Sequence, residues 1–149
     1  MKTDRIMISL RFFAVSESLR LAGINLKAPN NFRKKGLTMS TLDMIEYFGG
    51  KAANFLDVGG GADRKRVCSA VKLVSGMEGV EVIVVNLLGG ITRCDEVAAG
   101  IVEADVPQQV VVRLAGTNEA EGKRILTEKG YRMLDSMEDV VKFAVEEAN

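Results

Sequence analysis

The chain has no histidine among its 149 residues and only two cysteines, Cys68 and Cys94. Without histidine, neither a Ser-His-Asp nor a Cys-His catalytic arrangement can form within this chain. Cysteines and carboxylates are then the only ionisable metal ligands, and the two cysteines lack the close spacing of a zinc motif. We therefore predict no catalytic residue and no metal site. Two cysteines without a pairing pattern also indicate a reducing compartment rather than a disulfide framework.

Long hydrophobic runs and an excess of charge of one sign are missing too. No apolar stretch approaches the roughly 20 residues that cross a bilayer. The segment IMISLRFFAVS, residues 6–16, is interrupted by Arg11 and has no small-residue cleavage site. Basic and acidic residues balance at 20 each, which gives no overall electrostatic reason for binding nucleic acid or an anionic membrane. We expect a cytoplasmic protein that binds neither.

The charge is unevenly distributed along the chain. Residues 1–35 contain eight Lys or Arg and two Asp or Glu, so this segment has a net charge of +6 and the remainder has −6. Within it, Ile6, Ile8, Leu10 and Phe12 alternate as in a strand. We place a boundary near residue 35 and regard 1–35 as a basic N-terminal extension or remnant segment. It is either a solvated segment or a docking contact.

Residues 36–149 alternate apolar runs with segments of helical spacing. The runs are short, nearly continuous and rich in β-branched residues, as strands covered on both faces must be; they are 52–58, 80–88, 108–116 and 131–134. Helices are predicted at 40–50, around Val67 to Val74, around Val97 to Val102, at 119–130 and at 136–148. This alternation predicts an α/β domain with an open parallel sheet and right-handed crossovers.

Local signals mark where two of these helices begin and end. Ser136 and Asp139 are spaced as a capping box at the start of the last helix. Gly130 is the predicted C-terminal stop of the helix before it.

Three junctions join a predicted strand to the following helix. They read GGGADRKR after Val58, GGITRCDE after Leu88 and GTNEAE after Ala115. Open parallel sheets bind ligands at the carboxyl ends of their strands, where the next helix presents its N-terminus. The second junction fits an anion site best, because Gly89 and Gly90 allow close approach of the backbone and Thr92 can cap the helix. An ordinary capped helix would give the same pattern.

The other junctions are weaker candidates. Gly59, Gly60 and Gly61 do not make a dinucleotide fingerprint, since Arg64 stands where the third glycine would be. The basic run from Arg64 to Arg66 faces either solvent or a partner, because a helix dipole repels cations at this end. At the third junction, Asn118 and Glu121 are predicted as a capping pair.

Cys94 falls in the first turn of the helix after the second junction. The helix dipole there could lower the pKa of its thiol. A small packed residue with no chemical role is the other interpretation.

Three long segments carry a resemblance to a known family. GLTMSTLDMIEYFGGKAANFLDVGGGADRKRV, VIVVNLLGGITRCDEVAAGIV and VVVRLAGTNEAEGKRIL closely resemble the C-terminal CoA-ligase domain of the succinate–CoA ligase β subunit. Ligases that act on acetate, malate or citrate share this type of domain. The resemblance runs from about Gly36 to the end of the chain. It implies a flavodoxin-like fold for 36–149, with three layers and helices on both faces of an open parallel sheet.

The resemblance also implies a partner and a substrate class. In this family a histidine of the α subunit is phosphorylated, and its phosphate lies between two helix N-termini, one from each subunit. The glycine loop of the β subunit also holds the carboxylate of the acid substrate. In this sequence that role falls on Gly90, Ile91 and Thr92, with Gly89 and Arg93 beside them. The histidine that this chain lacks would come from the α subunit, in a heteromeric enzyme of the tricarboxylic acid cycle.

Two departures from the family pattern qualify this prediction. No segment is long enough to be the ATP-grasp domain that precedes the family's CoA-ligase domain. We therefore expect no cofactor on this chain alone and no activity in isolation; the complex would use CoA and ATP or GTP with Mg²⁺, with nucleotide bound by a separate ATP-grasp chain. Arg33 stands where the family has an asparagine that contacts substrate. The alternative is a non-catalytic truncated paralogue that retains the subunit-docking fold.

Overall fold

The computed structural model describes residues 8–10, 44–45, 47–49, 56, 58, 61–77, 80–89 and 91–148. Its elements are β1 (Ile8–Leu10), α1 (Arg64–Ser75), β2 (Val82–Gly89), α2 (Cys94–Ala104), β3 (Gln109–Gly116), α3 (Glu119–Glu128), β4 (Arg132–Met133) and α4 (Met137–Glu147). Met44, Ile45 and Tyr47 are also helical, inside the helix predicted at 40–50. Apart from buried Leu56 and Val58, the strand predicted at 52–58 lies outside the described residues.

The four described strands form one parallel sheet in the order β1-β2-β3-β4. β2 and β3 pair over eight residues, from Val82 opposite Gln109 to Gly89 opposite Gly116. β1 comes from the basic N-terminal segment and pairs in parallel with β2, with Ile8 opposite Val85. The strands predicted near 80–88, 108–116 and 131–134 are confirmed, and so is the strand pattern around Ile8. The domain boundary near residue 35 stays a prediction.

Helices cover both faces of the sheet because both faces are apolar. Side chains of β2 and β3 alternate between two hydrophobic clusters, as the two-residue period of a strand requires. Ile83, Val85 and Leu87 of β2 belong to the larger cluster, together with residues of α1, α2 and α3. Val82 and Val84 belong to the smaller cluster, which includes Val111 of β3 and the buried face of α4. The predicted three-layer, flavodoxin-like α/β fold is thereby confirmed.

Two helix ends follow the local signals in the sequence. α3 is followed by Gly130 at φ +77°, and the backbone N–H of Tyr131 donates to the carbonyl of Leu126 at 3.0 Å. This bond and the one from Gly130 to Thr127 form a Schellman ending, so the predicted stop at Gly130 is confirmed. At the start of α4, the Ser136 hydroxyl accepts from the backbone N–H of Asp139 at 3.0 Å, as predicted.

Two buried glycines set how closely the helices pack. A Cβ on Gly100 of α2 would lie 2.7 Å from the carbonyl oxygen of Arg64 and 2.7 Å from the Cβ of Val67, both on α1. A Cβ on Gly122 of α3 would lie 2.8 Å from the carbonyl oxygen of Cys94, the first residue of α2. The absence of a side chain at both positions therefore fixes α2 between its two neighbours.

Replacing Gly100 by alanine should destabilise the fold. The added methyl group meets backbone and β-carbon atoms that have no flexible end to move away, and overpacking of this kind costs about 1–3 kcal/mol. Chemical denaturation of the purified chain measures the loss. Gly76→Ala is the matched control, because its Cβ would meet carbonyl oxygens at 3.6 Å and its φ of −78° suits alanine. Equal midpoints for the two variants would contradict the predicted close packing.

Candidate functional site

The three strand-to-helix junctions meet at one edge of the sheet. Gly89 and Gly116 are paired in the β2–β3 register, so the loops after these strands leave the sheet side by side. The backbone N–H of Gly61, from the first junction, donates to Oγ1 of Thr92 at 2.9 Å. The backbone N–H of Cys94 donates to the carbonyl of Thr117, from the third junction, at 2.8 Å. The second junction is thus hydrogen-bonded to both of the others.

Thr92 holds two loops together instead of capping a helix. Its side chain is buried, and its hydroxyl accepts from Gly61 of the neighbouring loop. The N-cap residue of α2 is Arg93, one position later. The predicted capping role of Thr92 is therefore wrong. The hydroxyl instead pairs with an N–H of a loop distant in sequence, so that the buried polar group is satisfied.

The helix N-termini at this edge differ in how their N–H groups are used. At α1, the carboxylate of Asp63 accepts from the N–H of Arg66 at 2.9 Å, and the carboxylate of Glu96 accepts from the N–H of Arg64 at 3.2 Å. At α2, the N-cap residue Arg93 makes no side-chain cap hydrogen bond. Two carboxylates therefore accept from the start of α1. At α2 the N–H of Cys94 donates to the carbonyl of Thr117, and the Asp95 carboxylate accepts from the backbone of Glu96. Fewer N–H groups are thus taken by carboxylates at α2 than at α1, which favours the second junction over the first as the anion site.

The basic run at the start of α1 is exposed. Arg64, Lys65 and Arg66 all lie at the surface, and Arg64 forms an ion pair with Glu103 of α2. The Asp63 and Glu96 carboxylates offset the unfavourable position of these cations at a helix N-terminus.

Asn118 begins α3 in a way that the sequence did not indicate. Its φ of 57° places it in the left-handed region, and it makes no side-chain cap hydrogen bond. Its side-chain amide donates instead to Oδ1 of Asp95 at 3.3 Å, while Glu121 pairs with Arg124. The predicted capping pair of Asn118 and Glu121 is therefore wrong, because each side chain has another partner.

A bidentate ion pair lies beside the second junction. Arg93 donates from Nε to Oδ1 of Asp95 at 3.2 Å and from Nη2 to Oδ2 at 2.7 Å. This hydrogen bonding and the nearby carboxylate charge raise the pKa of Arg93. Burial acts to raise the pKa of Asp95, but hydrogen bonds from Arg93 and Asn118 outweigh it and hold that pKa below its usual value. Both groups are therefore charged at neutral pH.

Most of the predicted site residues lie in one continuous segment. Gly89 is the last residue of β2, Ile91 and Thr92 follow, and Arg93 precedes α2. Gly90 and Arg33 lie outside the described residues. Ile91 is 82% exposed, which is unusual for an isoleucine and leaves an apolar side chain beside polar groups. Nothing in the sequence pattern marks Asp95 as the partner of Arg93.

Cys94 is a packed residue and not an activated thiol. Its side chain is fully buried, and burial raises its pKa to about 11, with further contributions from the charges of Glu119 and Asp95. The helix dipole is outweighed by these effects. The predicted lowering of the pKa is therefore wrong, and the interpretation as a small packed residue is confirmed.

Two further features are absent from the part of the chain that the structure describes. Within it, no three or more cysteine, aspartate or glutamate side chains are grouped so that they could hold a metal ion. Among the same residues, no helix has both the length and the apolar character that a membrane span needs.

The raised pKa of Cys94 predicts a loss of stability at alkaline pH. The unfolded thiol loses its proton near pH 9.0, whereas the folded one keeps it up to about pH 11. Stability is therefore complete below pH 9 and falls as the pH rises through this interval, by about 2–3 kcal/mol. Denaturation at several pH values measures the slope, which Cys94→Ala should flatten. The same slope in the wild type and in Cys94→Ala would refute this assignment.

The comparisons with known proteins agree with this architecture. The model of the CoA-ligase family matches residues 32–145. A relative from Staphylothermus marinus, the β subunit of an ADP-forming succinate–CoA ligase, is 55% identical over 115 residues, which are 74% of this chain and 30% of the relative. The corresponding subunit of Desulfurococcus amylolyticus is 54% identical over 110 residues, 71% of this chain and 29% of that protein. The chain thus spans about 30% of the length of these curated relatives.

Solved structures share the fold at low sequence identity. A Pyrococcus horikoshii protein superposes with a TM-score of 0.66 at 18% identity, over 99% of this chain and 36% of that one. A dinucleotide-forming acetyl-coenzyme A synthetase from Korarchaeum cryptofilum gives 0.64 at 16% identity, over 98% and 34%. The family match covers well over half of the chain and the sequence relatives are more than 50% identical to it over the matched part. The chain belongs to the CoA-ligase family.

Proposed function

We propose that this chain is a β-subunit-type component of an acyl-CoA ligase of the succinate–CoA ligase kind. The segment from Gly89 to Arg93 and the start of α2 would bind the phosphohistidine of a partner subunit and the carboxylate of a small acid substrate. The observation that carries this proposal is the position of the second junction, which is hydrogen-bonded to both other junctions and begins α2 beside the exposed side chains of Ile91 and Arg93. The β-subunit relatives support it.

The negative charge of a phosphohistidine supports a site that is shared between two subunits. A helix N-terminus offers the equivalent of about half a positive charge, which is less than a phosphohistidine requires. A second helix end, from an α-type subunit that also carries the histidine, would supply the remainder. The chain itself has no histidine, so the phosphorylated group has to come from a partner. We therefore propose a heteromeric complex that acts in the cytoplasm, in a reaction of the tricarboxylic acid cycle.

Asp95, Glu96 and Glu119, the carboxylates around the start of α2, are each ion-paired or hydrogen-bonded. These partners reduce the repulsion between the carboxylates and an incoming anion. Asp95 is paired with Arg93. Glu96 accepts from the N–H of Arg64, and Glu119 forms an ion pair with Lys123 at 2.8 Å. Each negative charge is thus partly offset by a donor from this chain, and an anion at the second junction meets a smaller opposing field.

The exposed Ile91 side chain suits a subunit interface. An apolar residue that is 82% exposed in the single chain would gain about 1.5–3 kcal/mol if a partner buried it completely. Residues 89–95 would lie inside such a contact. A stable interface of ordinary size buries on the order of 1,600 Å² in total, so we expect the partner to cover more than this loop alone.

We place the nucleotide on another chain. The described residues contain no grouped carboxylates that would hold Mg²⁺, and the sequence from Gly59 to Arg64 lacks the dinucleotide fingerprint. In this proposal a separate ATP-grasp chain binds ATP or GTP with Mg²⁺, and CoA enters with the complex. CoA supplies the thiol that accepts the acyl group; the residues of this chain contribute only binding and orientation of the anion.

A second candidate function has one observation in its favour. By the resemblance described above, Arg33 stands where the family has a substrate-contacting asparagine. A non-catalytic paralogue that keeps the docking fold but no longer supports turnover would tolerate this change. The two functions differ in turnover and not in partner binding.

The purified chain should be inactive by itself. Because it contains no histidine, incubation with radiolabelled ATP should leave no stable label on it, and CoA with succinate should give no thioester. Autoradiography and a thioester assay test this. Stable label on the isolated chain would overturn the proposed division of roles.

Reversing the charge of Arg93 should weaken association with a phosphorylated α-type subunit. Arg93→Glu places a carboxylate next to Asp95 and opposite the incoming phosphate, so we expect affinity to fall by about tenfold or more, as for loss of a charge-assisted contact. Titration by calorimetry against the purified phosphorylated subunit measures the change. Lys142→Glu is the matched control, since Lys142 is exposed on α4 and lies outside the three junctions.

One outcome tests the interface that both candidates share, and another separates the two candidates. Equal affinities for the Arg93 and Lys142 variants would remove the interface from this edge of the sheet. Normal binding of the wild-type chain, without succinate-dependent dephosphorylation in the presence of an ATP-grasp chain, would establish the non-catalytic paralogue.

A further inference from the structure

The Asp95 carboxylate accepts hydrogen bonds from two side chains that belong to different junctions. Nε and Nη2 of Arg93 approach it from the second junction, and Nδ2 of Asn118 approaches from the third. The Asp95 side chain is only 16% exposed, whereas that of Arg93 is 56% exposed. The carboxylate therefore forms the inner half of the pair, and the guanidinium forms the outer half.

This geometry leaves part of the guanidinium free to bind a ligand. Arginine has five N–H donors in a fixed plane. The two bonds to Asp95 use the Nε–H and one hydrogen of Nη2, so the other donors remain on the side away from the carboxylate. A planar group held in this way can offer two parallel N–H bonds to a carboxylate or phosphoryl oxygen pair.

The contribution of the Arg93–Asp95 ion pair to fold stability is too small to explain why the two side chains are held together. An ion pair with a half-exposed arginine contributes little to folding, because water screens it and the side chains lose freedom. Asp95 also reduces the attraction of Arg93 for an anion, which a site built for affinity alone would avoid. The carboxylate does restrict the direction in which the guanidinium points.

We propose that Asp95, held in place by Asn118, is a positioning residue that orients Arg93 toward the oxyanion of the substrate carboxylate or partner phosphate bound at the start of α2. The proposal rests on the function proposed above for residues 89–93. Asp95 does not contact the anion. Its negative charge reduces the electrostatic attraction between Arg93 and the anion. In return, its hydrogen bonds fix the angle at which the two free N–H groups of Arg93 meet the anion.

A trade of attraction for orientation predicts that loss of the Asp95 charge lowers turnover without weakening substrate binding. In Asp95→Asn one carboxylate oxygen becomes an N–H donor and the negative charge is lost. Succinate should then bind at least as well, so the KM for succinate stays level or falls. The rate constant kcat should fall by about tenfold, as expected for a misaligned contact. Asn118→Ala should shift kcat in the same direction by a smaller factor, about threefold, because Arg93 still has both carboxylate oxygens.

The assay is succinate-dependent dephosphorylation of the phosphorylated α-type subunit in the reconstituted complex. Asp135→Asn is the matched control, because Asp135 pairs with Lys123 and does not touch Arg93. The Nε–H resonance of Arg93 in the NMR spectrum of the isolated chain provides a readout without turnover. In the wild type and in Asp135→Asn it should be separate and slow to exchange with water; in Asp95→Asn it should join the averaged resonances of exposed arginines.

The outcomes are distinguishable. If Arg93→Ala abolishes dephosphorylation while Asp95→Asn matches the wild type, the positioning role is refuted and the proposed function stands. An Asp95→Asn variant with raised KM and unchanged kcat, or an averaged Nε–H resonance in the wild type, also refutes positioning. If Arg93→Ala leaves dephosphorylation unchanged, the proposed function of this segment is wrong, and the positioning proposal falls with it.

Discussion

The parallel pairing of β2 with β3 over eight residues is the constraint on which the rest of the structure depends. Because the register ends with Gly89 opposite Gly116, two loops leave the sheet at the same height. That proximity lets the N–H of Cys94 reach the carbonyl of Thr117 and brings Asn118 to Asp95. The alternation of side chains along the same two strands supplies the apolar surface for helices on both faces. A shift of one residue would exchange those faces and separate the loops.

Most of the fold could be predicted from the sequence, because its signals are local. Continuous β-branched runs gave the strands, and Gly130 and Ser136 marked helix ends through bonds to residues within five positions. The errors share one physical cause. Thr92 bonds to Gly61, which is 31 positions away, and Asn118 bonds to Asp95, which is 23 positions away. A capping motif identifies a side chain that can accept or donate, but the tertiary fold decides which partner it meets.

The position of the candidate segment in the chain could be predicted for the same reason, although its role stays a prediction. The segment from Gly89 to Arg93 is continuous in sequence, so its glycines and the following helix start could be recognised together. The raised pKa of Cys94 could not be predicted, since it depends on burial and on Glu119 from another helix. The orientation of Arg93 likewise depends on contacts between junctions. The backbone part of the proposed anion site is therefore encoded locally, and its electrostatic part depends on contacts between the loops.

The short fourth strand limits how this chain can associate with others. β4 contains only Arg132 and Met133, and the guanidinium of Arg132 lies 4.6 Å from the centre of the Phe143 ring. A two-residue edge strand offers few backbone groups to a foreign strand, and a charged residue there discourages edge-to-edge growth. This side of the sheet is consequently a poor template for strand addition. Any association on this side is thereby biased toward contacts between loops and helices, which can be formed and released without extending the sheet.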